Sequence, residues 1–91
     1  FMHPHLRLDT RDSRAALKSK VSLTRCVKQC ANLASFISAL YEKNYTLLAR
    51  ACKDELIEPM RAPLIPFFYE VKAAAMHAGA LACSISGSGP T

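Results

Sequence analysis

The sequence predicts an α+β domain, rich in helix and carrying a small antiparallel sheet. Three observations lead there. Three stretches repeat apolar residues at three- and four-residue steps, the spacing of one helix face. Two further stretches, residues 1–8 and 80–85, read as extended segments. Prolines and glycines break the chain between these stretches. The content, 51% hydrophobic and 21% charged in 91 residues, is that of a globular chain, one domain or part of one.

Residues 1–8 alternate loosely and end in Leu6-Arg7-Leu8, the tail of a strand. Asp9 or Thr10 then caps a short helix over Arg11 to Leu17. Ser22 opens the longest helix, whose apolar stripe is Leu23, Cys26, Val27, Cys30, Leu33, Ala34, Ile37, Leu40 and Tyr41. Such a stripe is expected in the core, and Asn44 is expected to close the helix in the left-handed conformation. Tyr45 begins a second helix that should end or bend near Glu58, because proline disfavours helical geometry in the residue before it.

Residues 59–66 hold three of the five prolines and are expected to form a stiff, irregular loop. The only charge within it is Arg61. Two readings stand side by side: a solvated arginine on a connector, or a guanidinium held ready for a carboxylate or phosphate. A third long helix spans Phe67 to Ala78, with Gly79 as its C-cap. A buried strand follows and empties into Ser86-Gly87-Ser88-Gly89-Pro90-Thr91, where glycines let a backbone approach a ligand and successive N–H groups form a nest for an anion.

Composition excludes several classes. No apolar run approaches the roughly 18 uncharged residues of a membrane helix, and Phe-Met-His-Pro-His lacks the basic start and apolar middle of a signal peptide. A cytoplasmic setting with reduced thiols is therefore expected. Cys26, Cys30, Cys52 and Cys83 match no zinc spacing, and Cys26 and Cys30, on the apolar face of one helix, are expected to be buried. The formal charge is +5, but its basic residues are scattered, with no run of five and no aromatic interleaving. That is a solvated surface rather than a nucleic-acid platform. The chain opens at Phe1 and stops within a glycine-rich turn, which reads as a fragment of a longer protein.

Three segments together carry a resemblance. Gly79-Ala80-Leu81-Ala82-Cys83-Ser84-Ile85-Ser86-Gly87-Ser88-Gly89-Pro90-Thr91 resembles the third, C-terminal motif of the GHMP kinases, in the version seen in homoserine kinases. Glu58-Pro59-Met60-Arg61-Ala62-Pro63-Leu64-Ile65-Pro66 is similar to that family's Glu-Pro-x-Arg-x-x-Leu-Ile-Pro signature. Thr10-Arg11-Asp12-Ser13-Arg14-Ala15 resembles its Thr-x-x-x-Arg segment. The segments stand in the family's order, and the resemblance runs from His3 to Thr91.

The resemblance implies residues 1–91 of a ferredoxin-like C-terminal domain, incomplete, with its final strands missing. It implies transfer of the ATP γ-phosphoryl, with Mg2+, to the hydroxyl of L-homoserine in threonine biosynthesis. Thr10, Arg14 and Arg61 would bind the amino-acid substrate, the two arginines gripping its α-carboxylate. Ser86, Gly87, Ser88 and Gly89 would form the active-site loop. No catalytic acid or base and no metal ligand is assigned in this stretch. The family's Pro-x-x-x-Gly-Leu-Gly-Ser-Ser-Ala ATP loop would belong to an N-terminal domain, so the fragment alone is expected to be inactive. Partners implied are homoserine and ATP, with neither nucleic acid nor membrane, and a homodimer as the assembly open to it. Phe67 departs from the glycine usual in the family after Leu-Ile-Pro, and Asp9 from a small hydroxyl residue. The alternatives are another GHMP small-molecule kinase, such as diphosphocytidyl-methylerythritol kinase, or a small non-catalytic α/β binding module.

Overall fold

Residues 1–91 are described by a computed structural model. Its elements are α1 (Thr10–Ala15), α2 (Leu23–Glu42), α3 (Tyr45–Ala51), α4 (Ile57–Arg61), a 3-10 turn (Ala62–Leu64) and α5 (Phe68–His77). Local chemistry sets most of their ends. The Ser22 hydroxyl accepts the Arg25 N–H at 3.2 Å and caps α2. Gly79, at φ +99°, closes α5: its N–H donates to the Met76 carbonyl and that of Ala80 to the Ala75 carbonyl, the Schellman pair.

The junction between α2 and α3 differs from expectation. Lys43, not Asn44, takes the left-handed position, at φ 53°. Asn44 instead starts α3, where its Oδ1 accepts the Leu47 N–H at 3.0 Å. An asparagine side chain satisfies an otherwise orphaned donor at an N-cap and adds nothing comparable at a C-terminus, so the cap role prevails.

The second helix also stops earlier than the proline implied. α3 ends at Ala51, and a new helix begins at Ile57. Asp54 causes the break: its carboxylate accepts the N–H groups of Leu56, Ile57 and Glu58 at 2.9, 2.7 and 3.1 Å. Pro59 then lies in the first turn of α4, where its missing N–H costs nothing. The connection is fastened to α2 by Gln29, which accepts the Glu55 N–H at 2.7 Å, and by Asn32, which donates to the Lys53 carbonyl at 3.0 Å. Of residues 59–66, expected as irregular loop, 59–64 are thus helical.

The predicted antiparallel sheet is not formed, and the α+β, ferredoxin-like reading is corrected to a helical framework. Residues 1–8 and 81–86 run extended, but no backbone hydrogen bond joins them. A strand exists only through a ladder with a second backbone. Here the donors are withheld or already used: Pro4 has none, the Leu6 N–H turns back to the Pro4 carbonyl at 2.7 Å, and the Ser86 N–H serves the Thr91 carbonyl at 2.7 Å.

The stripe on α2 is likewise not the core. Leu23, Val27, Leu33, Ile37, Leu40 and Tyr41 are all exposed. The covered face is the one carrying Gln29, Asn32 and the buried Ala39, which meets the 52–56 connection and α3. The buried apolar residues are Ala39, Ala51, Ala62 and Ile65. All four cysteines are free thiols; Cys26, Cys52 and Cys83 are half-buried, whereas Cys30 is exposed because it shares the uncovered face.

Phe67 occupies a left-handed position, φ 59°, at the entry to α5. A Cβ there costs about 1 kcal/mol or more, which glycine avoids. The residue is 74% exposed, so little packing offsets the strain. Phe67→Gly is therefore expected to raise the unfolding free energy of the full-length protein slightly, by up to about 1 kcal/mol. Urea titration checks this, and a loss of stability would refute it.

Candidate functional site

The site is assembled by three stretches distant in sequence. α1 supplies the first. Asp9 holds its N-cap position, yet the carboxylate does not cap, because it receives the Arg7 Nε–H at 2.9 Å. Thr10 and Ser13 face the final loop: Thr10 Oγ1 and Ser88 Oγ lie 3.3 Å apart within hydrogen-bond reach, and the Ser13 hydroxyl donates to the Ser88 carbonyl at 2.5 Å. Ser13 is fully buried.

Arg61, the last residue of α4, joins the other two. Its Nε–H donates to the Ser13 carbonyl at 3.3 Å and an Nη1–H to the Gly87 carbonyl at 3.1 Å. Arg61 is therefore no free connector arginine: it cross-links α1 to the loop. A guanidinium has five N–H donors. Two are used, which leaves one on Nη1 and both on Nη2. These three N–H groups are enough for two charge-assisted bonds to a carboxylate.

The loop is closed on itself. The Ser86 N–H reaches the Thr91 carbonyl, and the Gly89 N–H the Ser86 carbonyl at 3.1 Å. Gly87 and Gly89 have φ +59° and +88°, conformations that a Cβ disfavours. At Gly89 a Cβ would also meet Ile65 Cδ1 and Leu8 Cδ2 at 3.2 Å. The carbonyls of Gly87 and Ser88 are bound by Arg61 and Ser13, while their own N–H groups find no backbone acceptor in the chain. The His3 ring and Thr91 Oγ1 approach to 2.9 Å, which brings the opening residues to the end of the loop.

Thr10, Arg61, Gly87 and Ser88 thus meet within hydrogen-bond distance. Arg14 stands one helical turn after Thr10, on the same side of α1; it is exposed and takes part in none of the three ion pairs. A cavity of about 650 Å3 borders Ser86, Pro90 and Thr91 together with Phe68 and Lys72, and neither Thr10 nor Arg61 lines it.

Sequence reasoning missed Ser13 and a buried ion pair. Glu58 is 6% exposed; one carboxylate oxygen is bound by the Lys72 ammonium, the other by the Ser84 hydroxyl at 2.7 Å. Position within Glu-Pro-x-Arg was the only available signal for Glu58, and none set Ser13 apart from a surface serine. No three His, Cys, Asp or Glu side chains gather where they would hold a metal ion. No helix is long and apolar enough to cross a membrane.

Known proteins resemble this chain along its length. The family described as "GHMP kinases C terminal" matches residues 36–91. A homoserine kinase of Chloroherpeton thalassium is 46% identical over 91 residues, covering the whole chain and 28% of that protein. One of Chlorobaculum tepidum is 47% identical over the same span, again 28% of its length. The crystal structure of homoserine kinase from Cytophaga hutchinsonii superposes with a TM-score of 0.94 at 43% identity, over 97% of this chain and 28% of that one. The chain therefore spans little more than a quarter of the length of the relatives it matches. The motif order, the meeting of its three segments and the family match over residues 36–91 lead to one conclusion: this chain belongs to the GHMP kinases, as part of their C-terminal region.

Proposed function

We propose that this chain is the substrate-gripping part of a cytoplasmic kinase that phosphorylates the side-chain hydroxyl of L-homoserine. The observation that carries the reading is the cross-link of α1 to the final loop by Arg61, which leaves three N–H donors of its guanidinium unused by the chain. The 43–47% identity to homoserine kinases supports the choice of substrate.

In this reading Arg61 and Arg14 bind the α-carboxylate of homoserine, and Thr10 adds a hydroxyl contact. The N–H groups of Gly87 and Ser88 border the phosphates. The homoserine oxygen attacks the γ-phosphorus of ATP, its O–P bond forms as the bridging P–O bond to ADP breaks, and the hydroxyl proton passes to solvent water. No residue of this stretch is assigned as its acceptor. Fixing both ends of so small a substrate aligns the attack, and alignment is much of catalysis in phosphoryl transfer. Magnesium, when bound with ATP, would neutralise phosphate charge.

The test is a substrate screen with the full-length protein and MgATP. ADP release is expected with L-homoserine and not with an isoprenoid-type or diphosphocytidyl alcohol. The 91-residue piece alone is expected to release none. Preference for another alcohol would overturn the reading.

A further inference from the structure

We propose that Glu58 is a positioning residue that sets where Arg61 and the Ser86–Gly89 loop stand relative to each other. The inference rests on the homoserine-kinase reading above.

Two bridges run between the same two segments. Glu58 on α4 takes the Ser84 hydroxyl, and Arg61, three residues on, donates to the Gly87 carbonyl. Both run from α4 to the stretch that leads into and forms the final loop. Residues three apart in a helix share a face, which is why one short helix serves both bridges. Lys72 from α5 closes the first bridge from the other side, and its ammonium also lies 5.9 Å from the centre of the Phe68 ring.

A buried carboxylate is costly unless paired and hydrogen-bonded. An apolar contact would hold these segments at less risk but would let them slide. Glu58 has both oxygens bound, with Lys72 only 26% exposed, and satisfies its partners in a single geometry. A register error moves the Arg61 guanidinium away from the carboxylate it grips, which weakens the hold on the substrate. Glu58 does not touch substrate in this scheme; it acts through Arg61 and Gly87.

The experiment uses the full-length enzyme with Glu58→Ala, Glu58→Gln and Ser84→Ala. Kinetics are measured with homoserine and ATP varied separately. Amide hydrogen exchange is followed over residues 86–91. Glu58→Ala is expected to raise KM for homoserine tenfold or more, with kcat within threefold and KM for ATP within twofold. Glu58→Gln keeps an acceptor for Lys72 and a polar partner for Ser84, and should recover KM to within threefold of the parent. Ser84→Ala, at a partly exposed side chain, keeps the test alive if Glu58→Ala does not fold; it should raise KM severalfold and speed exchange in the loop. Unchanged KM for homoserine and unchanged exchange in Ser84→Ala, with Glu58→Ala losing activity only as it loses folded protein, would overturn the proposal. If the parent enzyme does not accept homoserine, the substrate reading fails, and loop exchange alone decides the role of Glu58.

Discussion

Replacing Arg61 by alanine in the full-length protein is expected to lower kcat/KM for homoserine about a thousandfold. The estimate has two parts. Two charge-assisted bonds to the substrate carboxylate are worth about 2 kcal/mol each, and about 1.4 kcal/mol is a factor of ten. The same change removes the ties to the Ser13 and Gly87 carbonyls, so the loop is also freed. Arg61→Lys is expected to recover little. A lysine head is a single point charge and cannot hold two backbone carbonyls while presenting a flat edge to a carboxylate. KM for ATP should stay within a few fold. A loss below tenfold in Arg61→Ala would remove Arg61 from the substrate site.

The second large effect is structural. Gly89→Ala should destabilise the full-length protein by about 2–5 kcal/mol. The left-handed φ of +88° contributes about 1–2 kcal/mol of strain. The new methyl then presses on Ile65 Cδ1 and Leu8 Cδ2 at 3.2 Å, and overpacking of that kind typically costs about 1–3 kcal/mol. Ile65 is buried and follows the 3-10 turn that continues α4, so it has little freedom to yield. Gly87→Ala provides the contrast: φ is +59°, but nothing lies within 4 Å of its Cβ. It should cost only the strain, about 1–2 kcal/mol. Urea titrations of both variants separate the two contributions, and equal losses would show that packing against Leu8 and Ile65 is unimportant.

What was legible in the sequence was local. Ser22, Tyr45 and Gly79 mark helix boundaries because a cap is made by a residue within three or four positions of its partner. The Asp54 break lay within the same range, yet the periodic pattern from Leu47 to Leu56 obscured it. The α2 stripe was legible as a stripe but not as an exposed one. Which face is covered was settled by Gln29 and Asn32 reaching backbone groups 21–26 residues away. The extended segments were read as a sheet because pattern alone does not reveal whether a partner backbone stands beside them.

The candidate site divides the same way. Thr10, Arg61 and the Ser86–Gly89 loop stood out through motif and residue type. Ser13 and Glu58 did not, because a buried polar side chain is recognisable only from its partners. Those partners, Ser88 and Ser84, are 75 and 26 residues away. Arg61 was undecided between solvent and site on local grounds, and its bonds to the Ser13 and Gly87 carbonyls were not visible in the sequence because they reach 48 and 26 residues away.

The most direct measurement of the central claim, that Arg61 holds the substrate carboxylate, is a cycle between protein and substrate. The full-length enzyme and Arg61→Ala are each assayed with homoserine and with 3-amino-1-propanol, which lacks the carboxylate. If Arg61 grips that group, removing it costs the parent enzyme about a thousandfold or more in kcat/KM but costs the variant, which keeps only Arg14 as a partner for the carboxylate, at least about tenfold less than it costs the parent. Equal losses in both enzymes would contradict the account.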